Sequence, residues 1–135
     1  MNLVEAVKTQ SQRDQVEAHL HEAGRIYYDV WKVGINLALR ISDLLSITMA
    51  QITRMDPDAR VLEIDEQKTG KRRRLVFNNT AYVIVQQRLA DYPNSKYLFQ
   101  SEATNIDRRK KQPVSRRSVA RVFEKVGQKL SLIHI

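Results

Sequence analysis

Leu39-Arg40-Ile41-Ser42-Asp43 puts an arginine at the join between two apolar helical segments. Further along, Lys68-Thr69-Gly70-Lys71 puts lysines at the tip of an expected β-hairpin. A cation buried at a helix junction and a cation on a hairpin tip could both reach one phosphate. The reading of these two stretches decides the fold, with helices before the first, a small sheet around the second and helices again behind it.

Working outward, Ile26, Val30, Val33 and Leu37 recur at helical spacing, so a helix is expected over Arg25–Leu39. Tyr27, Tyr28 and Trp31 widen its apolar surface. The polar stretch Gln12–His21, closed by Gly24, predicts a short helix before it. On the other side of Arg40, Ser42 is the expected N-cap of a helix carrying Leu44, Leu45 and Ile47. Asp56-Pro57-Asp58 is a turn signal. Val61–Asp65 then alternates apolar and acidic residues, and Arg73–Phe77 alternates in the same way, with Gly70 between them.

Asn78-Asn79-Thr80 reads as a cap region for a helix in which Tyr82, Val85 and Leu89 share a face. A long polar loop from Ser101 to Pro113 leads to a last helix capped by Ser115. Val119, Val122, Phe123, Val126 and Leu130 form its apolar stripe. The expected class is α+β, mostly helical, with a small antiparallel β-sheet inserted between helices.

The chain has 135 residues, enough for one domain, and is 42% hydrophobic, a globular composition. It has no cysteine, which excludes a disulfide framework and a thiolate metal site. His19 and His21 are two apart on an expected helix and point to different faces, so no metal site is expected. No apolar run reaches membrane-span length and no signal-peptide pattern opens the chain, so a soluble, cytoplasmic protein with no membrane partner is expected.

The net charge of +8 is unevenly placed. Through Glu66 there are 7 Lys/Arg against 11 Asp/Glu, a balance of −4; from Gln67 onward there are 16 against 4, a balance of +12. One electropositive face and a nucleic-acid partner are expected.

Leu37-Ala38-Leu39-Arg40-Ile41-Ser42-Asp43-Leu44 resembles the G-L-R-x-S-E-L pattern of the tyrosine recombinases, the phage-integrase family, with Ala38 for the glycine and Asp43 for the glutamate. Lys68-Thr69-Gly70-Lys71 resembles the K-T-G-K of that family's catalytic hairpin. The order of elements is also similar, and the resemblance covers nearly the whole chain. It implies site-specific DNA recombination or integration, acting on double-stranded DNA and not on a small molecule, with self-association on DNA, nucleoid association, and no metal or other cofactor.

The resemblance implies that Arg40 is catalytic, stabilising charge on the phosphate oxygens with its planar fork. It implies that Lys68 is the general acid, with Lys71 the fallback, and that Asp43 supports the arginine junction without doing chemistry. The basic run Arg72, Arg73 and Arg74, the loop Arg108, Arg109, Lys110 and Lys111, and Arg116 and Arg117 are expected to hold the DNA backbone. Ser115 and the first turn behind it are expected to accept a phosphate.

The family's H-x-x-R and the tyrosine nucleophile beyond it have no counterpart: His134 is the last histidine and Tyr97 the last tyrosine. Residues 1–135 therefore read as a single incomplete, C-terminally truncated catalytic domain without a core-binding domain, binding DNA but not cleaving it. The alternative is a non-catalytic DNA-binding module. Truncation is expected to leave part of the last helix's apolar stripe uncovered and prone to self-association. Leu130-Ser131-Leu132-Ile133-His134-Ile135 matches one reading frame of a transposon end used in sequencing libraries, so residues 130–135 read either as a non-native tail or as a native helix end.

Overall fold

A computed structural model describes residues 9–101 and 111–133. The first helix, α1 (Gln10–Ala23), opens with a capping box in which Thr9 and Gln12 satisfy each other's backbone N–H groups. Gly24 ends it at φ +148°, a conformation that side chains rarely adopt, and also starts α2 (Arg25–Leu37). The second helix is shorter than its apolar pattern suggests. Ala38 enters the left-handed region (φ 51°, ψ 45°) and turns the chain before Leu39.

The next helix, α3 (Ile41–Leu45), begins one residue before the expected cap. Arg40 is the N-cap, in extended backbone, and Ser42 lies inside the helix, where its carbonyl accepts from the Ser46 hydroxyl at 2.8 Å. Ile47 leaves the helix; its carbonyl accepts the Leu98 N–H at 2.9 Å, and Met49 N–H reaches Lys96 at 2.9 Å. The Tyr97–Phe99 run thus pairs with the backbone around Thr48. A separate helix, α4 (Met49–Arg54), follows with its own capping box, Thr48 and Gln51.

Strands β1 (Val61–Asp65) and β2 (Arg72–Val76) form a two-stranded antiparallel sheet with Leu62 opposite Leu75 and Glu63 opposite Arg74. Leu62, Ile64, Leu75 and Phe77 are buried, as alternation requires. The last two helices are α5 (Asn79–Asp91), capped by the Asn78 side chain, and α6 (Arg116–Ile133). The fold is α+β and mostly helical, with the sheet inserted among helices.

Two apolar clusters hold it together. The larger joins α2, α3, α4, the sheet, α5 and the Leu98–Phe99 run. The smaller joins Val16 and Leu20 of α1 to Trp31, Val126 and Leu130. The stripe of α6 is accordingly less bare than expected: Val119, Val126 and Leu130 are buried, and only Val122 and Phe123 stay half-buried. Val126 and Leu130 pack with Val16 and Leu20 of α1 and with Trp31, and Val119 joins the larger cluster. Among the described residues no helix is long and apolar enough to cross a membrane.

Candidate functional site

Arg40 stands where the chain leaves the left-handed Ala38 and enters α3. Its backbone is extended (φ −62°, ψ 144°) and its carbonyl accepts the Leu44 N–H at 2.9 Å, the first bond of the helix. The side chain is exposed, not buried as the sequence suggested, because Arg40 caps α3 from outside the helix, and among the described residues it has no ion-pair or hydrogen-bond partner. An unpartnered guanidinium on a backbone fixed at both ends is ready to donate two hydrogen bonds to an anion.

The hairpin is attached on both sides of this arginine. Before it, Arg73 Nη2 donates to the carbonyls of Leu37 at 3.3 Å and Ala38 at 3.1 Å, closing the C-terminus of α2. After it, the Gln67 N–H donates to Asp43 Oδ1 at 3.0 Å, and Asp43 is buried. The amide of Gln67 adjoins Lys68, so a carboxylate three residues past Arg40 holds the chain one residue before the lysine. The structure thereby brings Arg40, Asp43 and Lys68 onto one tied framework. Lys68, Thr69, Gly70 and Lys71 are all exposed, and Gly70 has φ +69°, the left-handed position that the turn needs glycine to fill.

The basic residues differ in their partners. Arg72 pairs across the sheet with Glu63 at 3.3 Å and Asp65 at 3.4 Å. Arg73 faces inward with Leu75 and Phe77 and is committed to the end of α2, because side chains alternate along a strand. Arg74 alone of the three is exposed without a partner among the described residues. Arg108, Arg109 and Lys110 lie outside the described residues. Lys111 is exposed and donates to the Asn94 carbonyl at 2.7 Å.

Ser115 Oγ accepts the Ser118 N–H at 3.0 Å and lies 2.9 Å from the Ser118 hydroxyl, so it caps its own helix. Arg116 and Arg117 are exposed in the first turn of α6, which holds no acidic residue. Cations there oppose the helix dipole, and an anion would relieve that opposition. Among the described residues no cluster of three His, Cys, Asp or Glu could hold a metal ion.

Three side chains near these features have no counterpart in the sequence reading. Gln67 and Ser46 join the hairpin tip to α3, and only the tertiary pairing reveals them. Arg88 is 3% exposed, ion-paired to Asp29 at 2.9 Å and bonded to the Leu98 carbonyl at 2.8 Å. A cation beside Val85 and Leu89 on an otherwise apolar face was the available signal. Burial pushes the Asp29 carboxyl above its ordinary range, while Arg88 and Arg25 pull the other way.

The model of the Phage integrase family matches residues 3–134. A probable integrase/recombinase of Bacillus subtilis strain 168, YoeC, is 25% identical over the whole chain, which spans 69% of that protein. A crystal structure of XerA recombinase superposes with a TM-score of 0.62 at 12% identity, over 90% of this chain and 41% of that one. The Tn1549 transposon integrase, solved in complex with circular intermediate DNA, gives 0.62 at 16% identity, over 90% of this chain and 44% of that one. The chain thus spans less than half the length of either solved relative.

Proposed function

The chain belongs to the phage integrase family, and from that premise we propose that its residues bind duplex DNA and carry the arginine and lysine of a tyrosine-recombinase site. The observation that carries this reading is the double attachment of the lysine hairpin, through Arg73 and Gln67, to the two ends of the Arg40 junction. In DNA strand transfer an attacking oxygen displaces the 5′ oxygen from phosphorus. Arg40 donates its fork to the non-bridging oxygens as charge builds there. Lys68 gives its proton to the departing 5′ oxygen, with Lys71 as the alternative donor. Asp43 holds the junction. Arg74, Arg116, Arg117 and Lys111 hold the DNA backbone, with Arg108, Arg109 and Lys110 joining them. The reading implies action on the nucleoid and self-association on DNA.

The attacking tyrosine and the H-x-x-R are not among these 135 residues. The chain by itself is therefore proposed to bind DNA and not to cleave it. That same absence favours a second reading, a non-catalytic DNA-binding module. A nicked suicide substrate separates the two. If the gene continues into an H-x-x-R and a downstream tyrosine, the longer protein forms a covalent DNA adduct without added metal. Arg40→Ala then lowers adduct formation several hundredfold, about 3 to 4 kcal/mol of transition-state stabilisation. Lys68→Ala slows the reaction, and a 5′-bridging sulfur rescues it, because a thiolate leaves without a proton. Rescue of Lys71→Ala in place of Lys68→Ala would move the general acid to Lys71. A native stop after Ile135 would select the module.

A further inference from the structure

We propose that Gln67 and Ser46 are positioning residues, a latch that acts through Asp43 and α3 to set where Lys68 stands relative to Arg40. The inference rests on the proposed function, in which Lys68 reaches the same phosphate as Arg40. The hairpin tip closes on itself: Gly70 N–H donates to Glu66 at 2.8 Å, Glu66 N–H to Lys71 at 2.9 Å, and Lys71 N–H to the Thr69 hydroxyl at 3.2 Å. None of these bonds ties the tip to the body of the protein. A two-stranded ribbon is marginally stable and free to twist, so its tip needs an anchor to hold a fixed place.

Gln67 is that anchor. Its N–H donates to Asp43 Oδ1 at 3.0 Å, and its side-chain Nε2 donates to the hydroxyl oxygen of Ser46. The Ser46 hydroxyl in turn donates to the Ser42 carbonyl at 2.8 Å. That bond commits the hydroxyl proton to α3 and leaves the oxygen lone pair facing Gln67. The chain of bonds runs from the residue next to Lys68 into the helix that Arg40 caps. Both latch side chains belong to exposed residues, so the latch can be opened without removing any core atom.

The test uses the full chain and a double-mutant cycle on duplex DNA at low salt. Lys68→Ala should weaken binding about fivefold in the parent, as loss of one phosphate contact does. In Gln67→Ala or Ser46→Ala the same substitution should cost less than about twofold, because the lysine no longer stands in one place. Arg116→Ala, on α6 and with no hydrogen bond to the latch, should cost the same in every background. Hydrogen exchange supplies a readout without DNA: the Gln67 amide should be protected in the parent and exchange about tenfold faster in either latch variant.

An undiminished Lys68→Ala effect in both variants would overturn the latch and leave the phosphate reading standing. A Gln67 amide exchanging at the free-chain rate in the parent would also overturn it. A protected Gln67 amide, with Lys68→Ala silent on DNA in the parent, would overturn the phosphate reading, and the proposal with it.

Discussion

Two regions of this molecule contain an arginine near an aspartate, and they use them in opposite ways. In the core, Arg88 and Asp29 are 3% and 1% exposed, and the guanidinium also serves the Leu98 carbonyl and lies over the rings of Tyr92 and Phe99. At the helix junction, Asp43 is buried while Arg40, three residues away, is exposed and unpartnered among the described residues. There the aspartate spends its oxygen on the hairpin amide and not on the arginine. The difference teaches where to look for ligand-binding charge. A buried cation must be satisfied internally, because desolvation is costly. A cation left free beside a backbone this well fixed is available to something outside the protein.

The core pair should show the largest effect on stability. Arg88→Ala leaves the Asp29 carboxylate buried without its main partner and should cost about 3 to 5 kcal/mol in urea unfolding. Replacing both, Asp29→Leu with Arg88→Met, should cost much less than Arg88→Ala alone, since neither charge remains to be paired. If the double variant were as unstable as the single one, the pair would be contributing through shape and not through charge.

Arg73 sharpens the comparison from an intermediate position. Its guanidinium is half-buried and bonded to the end of α2, so Arg73→Ala should cost about 1 to 2 kcal/mol in stability. Arg74→Ala, one residue on and exposed, should leave the melting curve in place and weaken DNA binding instead. A reversal of these two outcomes would place the strand in the opposite face assignment.

Ala38→Gly should stabilise the chain by about 0.5 to 1 kcal/mol, because a left-handed backbone strains alanine and not glycine. The gain is smaller than the strain, since glycine also loses more freedom on folding. A thermal melt reads it directly.

The smallest expected stability change belongs to the residue with the largest proposed role. Arg40→Ala should alter unfolding by less than about 0.5 kcal/mol, as exposed substitutions without partners do. It should nonetheless weaken DNA binding. A loss above 2 kcal/mol in stability would mean that Arg40 is structural and erase the contrast with Arg88. For the unaltered chain, log K for duplex DNA should fall against log salt with a slope of about −4 to −5 if four to six phosphates are contacted.

Much of this architecture was legible in local pattern. Period-two alternation found β1 to the residue, and helical spacing found the face of α2 that carries Val30, Val33 and Leu37. Those signals are legible because burial imposes them on neighbouring residues in the chain. The L-R-x-S-D-L and K-T-G-K stretches pointed to Arg40 and Lys68 through their resemblance to the family's motifs. What pattern did not supply was the role of each cation in Arg72-Arg73-Arg74. Three adjacent arginines look alike in sequence, yet one pairs across the strand, one closes a helix and one has no partner among the described residues.

The sequence by itself determined the mostly helical α+β class, the hairpin and the candidate cations, because propensity, periodicity and motif spacing are local properties; it did not separate α3 from α4. Only the tertiary structure decided which cations are spent and which are free. The partners that spend Arg88 and Arg73, Asp29 for the first and Leu37 and Ala38 for the second, lie 59, 36 and 35 residues away, and Asp43 lies 24 residues from the Gln67 amide that it holds. No local pattern encodes such pairings; the packing of helices and sheet into one core brings them within hydrogen-bond reach.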